Sequence, residues 1–252
     1  MAKGTSGIKT FDTHSERTLR RDFVRHFKAC PIPDDQLLSN LGLFLNSKNL
    51  SRILFMNHLY QHIIDIPGVV MEFGVRWGQN MSLFAALRGI YDPFNRHRTI
   101  VGFDTFKGFP SVSDKDGTST MIKKGNLSLT KKYDTYLDKI MDFQEKDNTL
   151  AHIKKYALVK GDATVTIGSY LRQHPQTIVA LAYFDFDLYE PTKKCLQAIK
   201  PYLVKGSVVG FDELNDPDSP GETVALKEVF GLNTITLRRF RYASRVSYFV
   251  VE

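Results

Sequence analysis

Five short apolar runs, each closing on an acidic residue, constrain this chain more than any other feature. Residues 68–73 carry Glu72 near their end, 99–103 lead into Asp104, and 156–160 lead into Asp162. Residues 177–184 lead into Asp185, and 206–211 into Asp212. Each run is rich in Val, Ile, Leu or Phe and reads as a buried strand. An acid at such an end is costly unless it pairs, ligates a cation or faces a cleft. In open α/β sheets the ligand crevice lies outside the carboxyl ends of the strands. The acids are therefore expected to converge on one site.

Helical periodicity fills the gaps, at about 79–91, 131–146, through Ile167, Tyr170 and Leu171, and at about 191–203. Strands alternating with helices imply a doubly wound, mostly parallel sheet. The C-terminal end differs. Thr234-Ile-Thr-Leu237 and Val246-Ser-Tyr-Phe-Val-Val251 have no helix between them and read as a hairpin. It brings the sheet to seven strands and adds an antiparallel strand. Ahead of the sheet, residues 1–66 read as an N-terminal helical extension of a domain at 67–252. There Leu19, Phe23 and Phe27 share one helix face, Pro31-Ile-Pro33 breaks it, and Leu37, Leu38, Leu41 and Leu45 mark the next. These stripes are read as core packing. Residues 105–130 have little apolar periodicity, and a stretch of that length is read as an active-site lid or a surface insert.

At 252 residues the chain fits one decorated α/β domain. The net charge of +7 is dispersed and no recognition motif accompanies it, so no nucleic-acid partner is expected. Cys30 and Cys195 form no framework or ligand spacing, as in a reduced chain. Met1-Ala-Lys-Gly-Thr-Ser6 lacks an apolar leader core, and no window is apolar for long enough to span a bilayer. A cytoplasmic location and no membrane partner are expected.

The loop after the first run is Glu72-Phe-Gly-Val-Arg-Trp-Gly-Gln-Asn80. Gly74 and Gly78 permit a tight turn and close ligand approach. The spacing is not the G-x-G-x-x-G fingerprint that grips a pyrophosphate. Glu72 can bind an ammonium group, and the following helix N-terminus a carboxylate. An acid at Asp104 is placed to grip ribose hydroxyls, and one at Asp162 to reach an adenine amino group. Asp185, Asp187, Asp212 and Glu213 offer carboxylate oxygens that suit a hard cation such as Mg²⁺. Each acid alone could equally cap a helix.

Four segments together resemble the class I S-adenosylmethionine-dependent methyltransferases, and among them the macrocin O-methyltransferase group, which methylates sugar hydroxyls. They are Glu72–Asn80, Gly102-Phe-Asp-Thr-Phe-Lys-Gly-Phe-Pro110, Asp185-Phe-Asp-Leu-Tyr-Glu-Pro-Thr192 and Asp212-Glu213. The resemblance covers roughly residues 68–230. It implies that Glu72, Gly74, Gly78 and Asn80 hold the methionine portion of S-adenosylmethionine. Asp104, Thr105 and Phe106 would lie at the ribose, and Asp162 and Ala163 near the adenine. It further implies that Asp185, Asp212 and Glu213 coordinate Mg²⁺, with Asp185 and Asp187 serving catalysis and Asp187 accepting a proton. Two positions depart from the group: Phe186 where a small residue is usual, and Glu213 where aspartate is usual.

The activity implied is O-methylation, dependent on Mg²⁺, of a sugar or other polyhydroxy small molecule, free or nucleotide-linked. A related enzyme with an amine or phenol acceptor, or a non-catalytic cofactor- or nucleotide-sugar-binding protein, are the alternatives. A homo-oligomer is compatible with the helical extension.

Overall fold

A computed structural model describes residues 13–252. Helix α1 (His14–Lys28) starts at a Thr13 cap whose hydroxyl accepts from the Glu16 amide, with the Glu16 carboxylate reaching back. Helix α2 (Asp34–Leu37) runs into a 3₁₀ turn, and α3 (Ser47–Gln61) is capped by Asn46. The body then alternates β1 (Val69–Phe73), α4 (Gln79–Tyr91), β2 (Ile100–Asp104), α5 (Tyr133–Lys146), β3 (Tyr156–Lys160) and α6 (Ala163–Gln173). It continues through β4 (Val179–Phe184), α7 (Tyr189–Ile199), β5 (Leu203–Phe211), α8 (Gly221–Val229), β6 (Arg238–Arg239) and β7 (Ser247–Val250).

The strands form one seven-stranded sheet in the order β3-β2-β1-β4-β5-β7-β6. The first five are mutually parallel, and β7 runs antiparallel to β5 and to β6. This is the doubly wound, mostly parallel fold expected from the alternation. The order reverses between β1 and β4, so the loops that leave their carboxyl ends part and open a crevice.

The sheet is covered on both faces. Val70, Leu181 and Val208 face α3, α4 and α5 through Phe55, Leu59, Phe84 and Leu137. Met71, Ala182 and Val209 face α6, α7 and α8 through Ile167, Leu196, Ile199 and Leu226. Strand β4 is buried along its whole length, which explains its unbroken apolar run.

Two expectations need correction. The apolar stripe of α1 is not in the core: α1, α2 and the 3₁₀ turn bury no residue, and Leu19 is 70% exposed. What α1 does contact is local, as Phe27 packs edge-on against Phe44 at 4.8 Å. The true core contribution of the N-terminal segment comes from α3, whose Phe55, Met56, Leu59 and Tyr60 are fully buried. At the other end, Thr234–Leu237 is irregular rather than a strand. Its side chains find no partner strand, because pairing with β7 begins only at Arg238.

Candidate active site

Parallel register sets the site. Phe103, Phe73, Phe184 and Phe211 are neighbours across β2, β1, β4 and β5. Their rings stack in a row, with centroids 5.0, 4.6 and 5.4 Å apart in that order. The residue after each Phe therefore emerges at one level: Asp104, Gly74, Asp185 and Asp212. Hydrogen bonds extend the ladder past the strands, with the Gly74 amide donating to Phe103 O at 3.0 Å and the Asp185 amide to Phe73 O at 2.8 Å. The Asp212 amide donates to Phe184 O at 2.9 Å. Gly74 sits at φ +96°, and a Cβ there would come within 2.1 Å of the Asp185 carbonyl oxygen. Only glycine lets the two loops lie side by side.

Inside this crevice a pocket of about 90 Å³ is lined by Gly74, Asp104, Asp162, Ala163, Asp185 and Phe186, among others. Arg76, Asp185 and Asp187 lead from it into a wider cleft of about 900 Å³, which Asn80 and Asp212 also line. Of the residues expected at the cofactor, Gly74, Asn80, Asp104, Thr105, Asp162 and Ala163 line these two connected spaces, and Glu72, Gly78 and Phe106 do not. Glu72 is buried beneath and accepts from Asn80 Nδ2 at 3.0 Å, while Glu72 Oε2 and Asn80 Oδ1 have no partner. Burial foremost, and Asp185 nearby, push the Glu72 carboxyl well above its usual range. Gly78 caps α4 at φ +77°. Asp104 accepts from the amides of Arg76 at 2.7 Å and Phe106 at 2.6 Å, which fixes the turn that Phe106 makes at φ +55°. Asp104 also lines the pocket, and burial raises its pKa against the pull of those amides. Thr105 donates to Gly108 O, closing the start of the insert. Asp162 caps α6 through the Thr164 amide at 2.9 Å.

The acids after β4 and β5 are arranged differently from the metal set expected. Arg52, from α3, donates to Asp212 Oδ1 at 2.7 Å and lies 3.4 Å from Asp185 Oδ2. The Tyr183 hydroxyl donates to the same Asp212 oxygen at 2.7 Å. Glu213 turns away and pairs with Arg245, which also reaches Asp216 at 2.9 Å. Among the described residues no group of three His, Cys, Asp or Glu side chains could hold a metal ion. Asp185, Asp212 and Glu213 as arranged form no such group: Arg52 engages one oxygen each of Asp185 and Asp212, and Arg245 engages Glu213 Oε1, while Glu213 Oε2 is buried without a partner among the described residues.

Asp187 differs from its neighbours. No hydrogen bond or ion pair among the described residues holds its carboxylate, although the residue is buried. Desolvation first, and Asp212 second, push it up to about 7. Its backbone is left-handed, at φ +60°, a conformation costing about 1–3 kcal/mol in a non-glycine residue unless its surroundings impose it. Glu222 supplies that constraint from α8. Fully buried, its Oε1 accepts from the amides of Phe186 at 2.9 Å and Asp187 at 3.3 Å. Sequence reading did not single out Arg52, Arg245 or Glu222. Their contacts bridge distant segments, and no local spacing announces them.

The insert is partly tied down. Asp116, buried, accepts from the Tyr189 amide and from Ser113. Lys115 donates to Glu228 at 2.6 Å and Tyr189 at 2.9 Å, so it faces α7 and α8 rather than an acceptor. Phe109, Pro110 and Leu127 line the small pocket.

Comparison with solved structures finds the same fold in known enzymes, while no family model and no curated protein matches the sequence. The crystal structure of CalS11, a calicheamicin methyltransferase, superposes with a TM-score of 0.93 at 43% identity, covering 96% of this chain and 94% of that one. The chain belongs to the class I S-adenosylmethionine-dependent O-methyltransferases. A second structure, of apo CalS11 described as a TDP-rhamnose 3'-O-methyltransferase, gives a TM-score of 0.84 at 40% identity, covering 96% of each chain. The O-methyltransferase NovP shares the fold, with a TM-score of 0.60 at 19% identity over 80% of this chain and 79% of its own. For this methyltransferase the cofactor is S-adenosylmethionine. No helix among the described residues is long and apolar enough to cross a membrane.

Proposed function

We propose that this enzyme transfers a methyl group to a hydroxyl of a nucleotide-linked deoxysugar, with TDP-rhamnose as the model acceptor. The observation that carries the reading is Asp187: a buried carboxylate, without a partner, where the cofactor pocket meets the wide cleft. The likeness to a TDP-rhamnose 3'-O-methyltransferase over 96% of each chain supports the sugar acceptor.

S-adenosylmethionine, when bound, supplies a methyl group on a sulfonium, open to in-line displacement. The residues of this chain do the rest. Glu72, Asn80 and the Gly74 turn fit the amino-acid end, since a buried unpartnered Glu72 oxygen calls for a donor. Asp104 suits the ribose and Asp162 with Ala163 the adenine side. Asp187 takes the acceptor's proton as general base, which needs a pKa near the operating pH. Positioning two reactants in one crevice supplies much of the remaining acceleration. Magnesium has no step in this scheme, because its expected ligands are committed to arginines. The insert roofs the pocket through Phe109 and Leu127 and excludes water on closure, and it is anchored at Asp116 rather than free along its length.

We also infer that the apolar face of residues 13–54 is covered by a second copy in a cytoplasmic homo-oligomer. Ten large apolar side chains there are at least 41% exposed, more than the scattered exposure a monomer tolerates. Light scattering of the wild type and of Leu38→Glu with Leu43→Glu tests this; a monomeric wild type overturns it. The activity itself is tested by incubating the protein with S-adenosylmethionine and TDP-rhamnose and assaying methylated sugar.

A further inference from the structure

The acid cluster carries its own cation. Arg52 reaches it from α3, far off in sequence, and bridges Asp185 and Asp212 at 3.4 and 2.7 Å. It is not a mobile surface side chain. Its neighbours Phe55 and Met56 are buried in the core, and α3 is packed on α4. The guanidinium is permanently charged and planar, and its fork matches two carboxylates better than a point charge does. Beneath it, Tyr183 donates to the same Asp212 oxygen and pins that acid from the strand side.

Arg52 holds one oxygen of each acid, Asp185 Oδ2 and Asp212 Oδ1. Magnesium requires near-octahedral oxygen geometry at about 2.0–2.1 Å, and an ion on the other oxygens of Asp185 and Asp212 would stand close to a guanidinium of like charge, which repels it. The third expected ligand is compromised too, since Glu213 is paired with Arg245, which also reaches Asp216 at 2.9 Å. Two arginines from opposite ends of the chain thus divide the three acids between them. Asp187 is left out of both pairings.

We propose that Arg52 takes the place of a divalent metal: it is the resident cation that neutralises Asp185 and Asp212 and steadies charge on the acceptor oxygen. The inference rests on the O-methyltransferase reading and deepens it. In the step, the acceptor O–H proton passes to the Asp187 carboxylate as the oxygen forms its bond to the methyl carbon. The carbon–sulfur bond breaks and its electron pair stays on sulfur, leaving a neutral thioether. Arg52 keeps its protons throughout, so its role is electrostatic.

The test begins with metal binding, which requires no acceptor. Calorimetric titration of EDTA-dialysed protein with MgCl₂ and with MnCl₂ is expected to show no saturable binding to wild type. Arg52→Ala, which frees both carboxylates, is expected to gain a saturable site; Arg52→Lys, which keeps the charge, is not. Turnover of wild type with TDP-rhamnose is expected to be unchanged by EDTA, to fall about 10²-fold in Arg52→Ala, and to recover in part when Mg²⁺ is supplied to that variant. Circular dichroism and S-adenosylhomocysteine affinity confirm that each variant is folded. Saturable Mg²⁺ binding by wild type, or loss of its turnover in EDTA, overturns the proposal. Failure of every acceptor with the titrations as expected would count against the sugar acceptor and leave the Arg52 assignment supported.

Discussion

Glu222 Oε1 accepts from both the Phe186 and the Asp187 amides, at 2.9 and 3.3 Å, and so holds the loop that follows β4. The other Glu222 oxygen is buried with no partner, and burial pushes the carboxyl well above its usual range. A protonated side chain keeps the acceptor that both amides use. Glu222→Gln should therefore fold normally and keep most of kcat. Glu222→Ala strands two buried donors, at about 1–3 kcal/mol of stability, and releases Asp187 from φ +60°. Denaturant titration and kcat for the pair check this; equal behaviour of the two variants would remove Glu222 from the account.

Asp187→Asn tests the base. The amide is close in size but cannot accept a proton, so kcat should fall by about 10²–10⁴-fold. Affinity for S-adenosylhomocysteine, read by calorimetry, should hold within about twofold, because the residues proposed to bind it lie elsewhere.

The pH dependence follows from the same group. Asp187 is raised from the usual 3.8 to about 7, so the folded protein binds more protons than the unfolded chain across that interval. Its contribution to stability is complete below the unfolded value and is lost as pH rises through about 7. Asp185 and Glu222, raised by burial first, work in the same direction. Activity runs the other way, because the base must be ionised. The kcat/KM profile should climb through about pH 7, while stability measured by denaturant declines. A profile flat across neutrality would contradict the assignment.

Gly74→Ala should be among the most damaging single substitutions. Its methyl group would fall within 2.1 Å of the Asp185 carbonyl, and φ +96° is strained for alanine. Both loops of the crevice would shift. S-adenosylhomocysteine affinity should collapse along with activity, unlike in Asp187→Asn, and calorimetry on the two variants separates binding from chemistry.

The parts of this molecule readable in sequence are those set by local pattern. β1 to β5 were legible because each is an apolar run ending at Phe or close to an acid, and parallel pairing aligned those ends as the alternation implied. The clustering of Asp104, Asp162, Asp185 and Asp212 followed from the same geometry. What charges they would meet did not. Arg52 meets Asp212 across 160 residues, and Glu222 lies 36 residues beyond Phe186; neither separation leaves a periodic trace. The stripe Leu19, Phe23 and Phe27 correctly marked a helix with an apolar face, but periodicity says only that a face exists, not what covers it.

Methylation of a nucleotide-linked sugar through Asp187 is open to direct test. The direct measurement is mass spectrometry and NMR of TDP-rhamnose after incubation with S-adenosylmethionine and the enzyme, beside the Asp187→Asn variant. The account predicts one added methyl group, on a ring hydroxyl oxygen, formed with stoichiometric S-adenosylhomocysteine and nearly abolished in the variant. Unmodified sugar despite saturable S-adenosylhomocysteine binding, or equal product from Asp187→Asn, would contradict it.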